Sequence, residues 1–127
     1  MWRRRDDRGA AVVEFALVLP VLVLFVFGII EFGRAYNARI ELTSAVREGA
    51  RSLALGGTPA AAATATRTAA PGLTPANILV TPTACPANPT PTTNASVVAT
   101  YAFTYSIPFF RSGTWTLTAK GVMRCGG

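Results

Sequence analysis

The chain has 127 residues, a formal net charge of +6 and no histidine. This length allows one small domain at most. No acidic residue follows Glu48 and no side chain is paired with a recognisable base, so the composition argues against catalysis and against a small-molecule substrate. The two cysteines have no histidine or second cysteine nearby, which argues against a metal. We therefore expect no enzyme activity and no cofactor.

An apolar run follows a short charged leader. Residues 1–9 form the hydrophilic leader, and residues 10–33 are predicted to be a transmembrane helix. As a helix, Ala10–Phe32 would span about 35 Å, which is enough for the hydrocarbon core of a bilayer. Pro20 lies inside this run, and membrane helices tolerate proline better than soluble helices do.

The leader predicts the orientation of that helix. Its four arginines outnumber its two aspartates, and basic residues on a short flank hold that flank in the cytoplasm. We therefore expect a single-pass protein of the cell membrane, with a cytoplasmic N-terminus and a C-terminal domain in the periplasm or at the cell surface. No nucleic-acid-binding motif accompanies the positive charge, so a nucleic-acid partner is not expected.

Within the apolar run from Ala10 to Ile30, Glu14 is the only charged residue. A carboxylate is costly to remove from water, so an ionisable group inside a membrane segment indicates a functional site. The alternative is that Glu14 lies about one turn inside the interface and extends its carboxylate back to water.

Helical periodicity continues beyond the membrane segment. Residues 34–57 are predicted to form an outer amphipathic helix that ends at Gly56-Gly57. Its expected buried face consists of residues at three- and four-residue steps: Tyr36, Ile40, Thr43, Val46 or Arg47, Ala50 and Leu53.

Residues 58–127 are predicted to form a small extracytoplasmic α+β domain. Thr58-Pro59 is a helix start, and the helix should run to Ala70. Strands are expected at 78–80, 95–107 and 114–124, with a proline-rich loop at 81–94 and a connection at 108–113. Alternation places one set of side chains on the inner face of an antiparallel sheet, which should pack on the outer helix: Val97, Tyr101, Phe103, Tyr105, Trp115, Leu117, Ala119 and Met123.

Cys85 and Cys125 both lie downstream of the membrane segment, and a cytoplasmic N-terminus would place them in an oxidising compartment. We expect them to form a disulfide, which would contribute about 4 kcal/mol in the chain-entropy model. The alternative is two unpaired cysteines that pack as small hydrophobic residues.

Three sequence blocks resemble the TadE-like family, the minor pilins or pseudopilins of tight-adherence (Flp-type) pili. The blocks are RGAAVVEFALVLP at 8–20, GIIEFGR at 28–34 and AVREGAR at 45–51, and the resemblance extends over about residues 8–55. It implies a type IV pilin-like architecture in a bacterial envelope protein that a prepilin peptidase cleaves. It also implies assembly with other pilin subunits.

The resemblance assigns roles to individual residues. Cleavage would fall between Gly9 and Ala10, and Glu14 and Phe15 would belong to the processing and assembly motif. By analogy with type IV pilins, the new amine of one subunit would meet Glu14 of the next. Five further residues match family positions and are candidate subunit contacts, or else interfacial anchors and a solvated helix face: Glu31, Arg34, Arg47, Glu48 and Arg51.

Two other interpretations remain. The chain could be an uncleaved single-span anchor for an extracytoplasmic binding module. It could also be a secreted domain behind a conventional signal peptide, although Ile30–Arg34 is a poor cleavage sequence for that purpose.

Overall fold

A computed structural model describes residues 7–126 of the chain. It contains two α-helices, a short 3-10 turn at Pro75–Asn77 and three strands: α1 (Asp7–Ala54), α2 (Pro59–Thr68), β1 (Ile78–Thr83), β2 (Asn94–Ile107) and β3 (Arg111–Arg124). The strands form one antiparallel sheet in the order β1-β2-β3. The predicted α+β fold is confirmed.

The predicted transmembrane and outer helices are one continuous element. α1 has 48 residues and is about 70 Å long at the usual helical rise. α1 ends at Ala54, three residues before the predicted bound at residue 57. Gly56 follows with a φ of 91°, which a residue with a side chain rarely takes and which stops the helix. Residues 1–6 of the predicted leader lie outside the described residues, whereas Asp7, Arg8 and Gly9 belong to α1.

The second half of α1 packs on the sheet through small side chains. Its buried residues include Ala35, Ala38, Ala45 and Ala50, whereas Gly49 packs against Thr66 of α2. The facing strands contribute small residues too, with Ala95, Ala99, Ala119 and Gly121 buried. A Cβ atom on Gly121 would clash with the backbone of Val46, so helix and strand approach more closely there than a side chain would allow.

The predicted helix face was wrong in its first two turns. Tyr36 and Ile40 are exposed, and Ala35, Ala38 and Leu42 face the sheet instead. The prediction favoured the large apolar residues Tyr36 and Ile40, whereas two of the three buried positions carry alanine, which allows a close approach to the small residues of the sheet. The predicted positions Val46, Ala50 and Leu53 are buried.

The sheet extends beyond the predicted strands. β1 continues to Thr83 through Pro82, which is tolerated because β1 is an edge strand, so the loop begins at residue 84 rather than 81. The β2–β3 connection shortens to residues 108–110. The inner-face assignment holds for Val97, Phe103 and Ala119, but Trp115 and Met123 are exposed because α1 does not cover the ends of β3.

A local helix cap and a long-range disulfide fix the remaining segments. Thr58 caps α2, and its hydroxyl accepts a hydrogen bond of 3.1 Å from the backbone N–H of Ala61, as the helix start predicted. Cys85 and Cys125 form the expected disulfide, which joins the segment after β1 to the end of β3.

Candidate membrane-insertion and assembly site

The first half of α1 is apolar and uncovered. Its most apolar 18-residue window has a mean hydropathy of 2.8, and none of that window is buried within the protein. By length and composition this helix is able to cross a membrane. A soluble protein would bury such a surface, so its exposure indicates a membrane anchor or an interface.

The predicted processing and assembly residues share one helical face. Ala10 and Glu14 are four residues apart, which places their side chains one above the other on a helix. Gly9, Val13 and Leu17 flank them along a shallow surface groove. Phe15 is exposed on a neighbouring face. The salt bridge within residues 7–126 does not involve Glu14, so its carboxylate is accessible to a group from another molecule.

The Gly9–Ala10 bond lies inside α1 rather than in an extended segment. Gly9 is exposed, and a Cβ atom placed on it would have no heavy atom within 4 Å. A protease binds its substrate as an extended backbone, so cleavage here requires the first turn of the helix to unwind. The end of a helix frays readily because its first N–H groups have no intrahelical partner.

Glu31 and Arg34 mark the boundary between the exposed apolar half of α1 and the half that packs on the sheet. The Arg34 guanidinium donates to both Glu31 carboxylate oxygens at 2.7 and 2.9 Å. It also lies 5.4 Å from the centre of the Phe103 ring. This arrangement joins α1 to β2 by a cation–π contact.

The other three candidate contact residues lie on the outer face of α1. Arg47, Glu48 and Arg51 are all exposed. Among the described residues, the hydrogen bonds and the salt bridge do not engage their side chains. Their charges are therefore free to meet solvent or another subunit.

Sequence reasoning missed Glu41. Its carboxylate accepts a hydrogen bond of 2.5 Å from the backbone N–H of Gly72, which ties the turn after α2 to the middle of α1. A Cβ atom on Gly72 would lie 2.6 Å from the Glu41 carboxylate, so a side chain there would force that carboxylate to move. Pro71-Gly72 signalled a turn, but no local pattern identified a partner 31 residues away.

Metal binding has no support in the described part of the chain. Residues 7–126 contain no group of three cysteine, aspartate or glutamate side chains able to hold an ion.

Comparison with known proteins agrees with the sequence blocks. Residues 9–51 match the family model described as TadE-like protein, which confirms the resemblance over that region. The matched region covers Gly9, Glu14 and the five charged candidate contacts. It suggests a protein associated with tight-adherence pili. No curated protein and no solved structure matched the chain.

Proposed function

We propose that this chain is a minor pilin or pseudopilin that α1 inserts into the bacterial membrane and that takes part in assembly of tight-adherence pili. One observation carries the proposal. Within the TadE-like region, the uncovered apolar stretch at residues 10–30 of α1 has a single carboxylate, on Glu14, one turn after a Gly-Ala bond. The role is structural, and its partners are the membrane, a prepilin peptidase and other pilin subunits.

Processing at Gly9–Ala10 would change both the charge and the chemistry of the N-terminus. The leader carries four arginines and two aspartates, so its removal lowers the formal charge from +6 to +4. Cleavage also creates an α-amine on Ala10, on the helical face that bears Glu14.

Pairing between that amine and Glu14 of a second subunit would then set the register of the assembly. An ion pair in a low-dielectric environment loses most of its Coulomb energy to desolvation, so it contributes little net stability. An unpaired carboxylate costs about 3 kcal/mol at the centre of a membrane helix on insertion scales. The cost is smaller for Glu14, which lies only about one turn inside the apolar run. Misaligned subunits would leave the Ala10 amine and the Glu14 carboxylate unpaired, so the aligned arrangement of subunits would have the lower free energy.

The disulfide supports the proposed topology. Cys85 and Cys125 belong to the C-terminal domain, and disulfides persist in oxidising compartments such as the periplasm or the cell surface. With the basic leader in the cytoplasm, the apolar half of α1 would cross the membrane. The domain that follows it would reach the oxidising side.

The direct test is Glu14→Ala expressed from the native locus. We expect the variant to insert in the membrane and to be found at the wild-type level, but pilus assembly should be impaired. Asp7→Ala is the matched control, because it removes an acid about two helical turns away that belongs to the leader expected to be cleaved. Normal assembly by Glu14→Ala would refute the pairing role.

An uncleaved single-span anchor is the second candidate, and one observation favours it: the Gly9–Ala10 bond lies inside a helix. The N-terminal sequence and intact mass of the protein extracted from its native membrane separate the two. A start at Ala10 supports the pilin function. A start at Met1 or Trp2 refutes processing and leaves the anchor, and a start beyond residue 33 would mean a secreted domain.

A further inference from the structure

The turn between β2 and β3 is apolar where a hairpin turn is usually polar. It consists of Ile107-Pro108-Phe109-Phe110, and both phenylalanines are exposed, Phe109 fully and Phe110 to 72%. Phe109 also has a φ of 62°, a conformation that glycine or asparagine adopts far more readily. Two exposed aromatic rings on an unfavourable backbone are difficult to explain in water.

The turn lies beside the apolar half of α1. The hairpin follows the helix from Gly121 opposite Val46 to Phe103 beneath Arg34. Six more residues separate Phe103 from Phe109, a distance of about 20 Å along an ideal strand. The hairpin therefore extends well past Arg34 toward the N-terminus of α1.

An apolar groove of about 450 Å³ separates the turn from the helix. Leu24, Phe25 and Ile29 line it from α1, and Ile107 and Phe110 line it from the turn. Glu31 is the first charged residue after the apolar stretch. Leu24 lies seven residues before Glu31, a distance of about 10 Å along the helix, so the groove is well inside that stretch. The medium that surrounds this part of α1 must also surround the turn.

The order of residues along the hairpin matches a membrane interface. Nearest the turn is the cation Arg111, and farther from the turn lie Tyr105 and Trp115, whose ring centres are 5.0 Å apart. Tyrosine and tryptophan favour the boundary between lipid and water, and arginine extends its charge toward headgroups. The apolar turn lies on the lipid side of this boundary.

The backbone of the turn is suited to an apolar medium. Pro108 has no N–H group, and the N–H of Phe110 donates to the Ile107 carbonyl at 3.2 Å. Beyond Tyr101, by contrast, β2 has no β1 partner, so the outer edges of the hairpin need water. Insertion is therefore confined to the turn.

We propose that the Ile107–Phe110 turn inserts into the lipid leaflet nearest the C-terminal domain and forms a second membrane contact beside α1. Acyl chains fill the groove between turn and helix. This inference rests on the membrane insertion of α1 that the proposed function includes.

Depth-dependent tryptophan quenching tests the insertion. The full chain carries Trp2→Phe and Trp115→Phe, so that each variant has one tryptophan. It is reconstituted into phosphatidylcholine and phosphatidylglycerol vesicles, with bromine on the upper acyl carbons of the phosphatidylcholine. The reporters are Phe110→Trp and, separately, Phe109→Trp. Phe25→Trp is the reporter for the helix, and Leu55→Trp is the aqueous control, matched to Phe110 because Leu55 is 71% exposed.

We expect the turn reporters to be quenched as strongly as Phe25→Trp, while Leu55→Trp keeps its emission. Quenching of Phe25→Trp without quenching of either turn reporter would refute the insertion and leave the proposed function intact. Loss of quenching at Phe25→Trp as well would refute both. Quenching of Leu55→Trp would mean that the whole domain lies on the membrane. Protection of the turn reporters only at high protein-to-lipid ratio would mean that a second copy covers the turn. Either of the last two results overturns the proposal.

Discussion

Gly121→Ala is the sharpest test of how α1 and the sheet fit together. A Cβ atom at this position would lie 2.6 Å from the carbonyl carbon of Val46 and 2.9 Å from the backbone nitrogen of Arg47. Real Cβ contacts are essentially never that short, and the atoms in the way are backbone. No change of side-chain rotamer removes the clash, so α1 must move away from β3.

The expected loss follows from the cost of overpacking. Extra carbon in a well-packed core costs about 1–3 kcal/mol, and the upper part of that range applies where backbone must shift. For a domain of this size, a loss of 2–3 kcal/mol lowers Tm by roughly 10–20 °C. Strand propensity acts in the opposite direction, because glycine weakens a strand interior. A lower Tm for Gly121→Ala would therefore indicate the close approach of β3 to α1 at Val46, because strand propensity alone would raise the Tm.

Thermal unfolding of the full chain in detergent micelles measures this effect, with circular dichroism as the signal and intact mass to verify the disulfide. Gly33→Ala is the matched control. Gly33 lies in α1 rather than in β3, and a Cβ atom there would meet nothing within 4 Å, so the variant should equal or slightly exceed the wild type in stability. A Tm for Gly121→Ala equal to that of the wild type would refute the close packing.

Three further changes separate fold from processing. Cys85→Ser opens a covalent loop with a sequence separation of 40 residues and should lower the free energy of unfolding by about 4 kcal/mol. The reduced wild-type protein should be equally destabilised. An unchanged denaturant midpoint would contradict the role of the disulfide. Glu41→Gln weakens the charge-assisted hydrogen bond to Gly72 and should lower the free energy of unfolding in urea by about 1 kcal/mol. Glu48→Gln, on the exposed face of α1, should change it little. Equal effects of the two variants would contradict a stabilising role for the Glu41–Gly72 hydrogen bond. Gly9→Leu should leave the uncleaved precursor in the membrane, and a mature-sized product would place the cut elsewhere.

Elements specified by local chemistry were predictable from the sequence. The end of α1 before Gly56 and the start of α2 at Thr58-Pro59 each depend on one or two residues whose backbone or capping preferences are strong. The disulfide was also expected, because only two cysteines are present and the predicted topology puts both on one side.

Features that depend on a distant partner were not predictable in this way. Periodicity assigned Tyr36 and Ile40 to the core because they are large and apolar. The partner surface is built from Ala95, Ala99 and Gly121, and its shape selects small helix residues. The paired phenylalanines at 109–110 were a signal within the sequence, since such residues are unusual in a hairpin turn. Their meaning depends on the helix beside them, which the alternation pattern does not reveal.

The continuity of α1 has a consequence for assembly. Glu14 and Arg34 are 20 residues apart on one helix, about 30 Å, with no linker between them. Arg34 is held to Glu31 and Phe103, so the C-terminal domain follows the helix. If pairing at Glu14 fixes the position of the helix, it also fixes the height of the domain, and Pro20 is the one proline in α1 where a kink could uncouple them. We therefore expect Pro20→Ala to preserve membrane insertion and to change how the subunits stack.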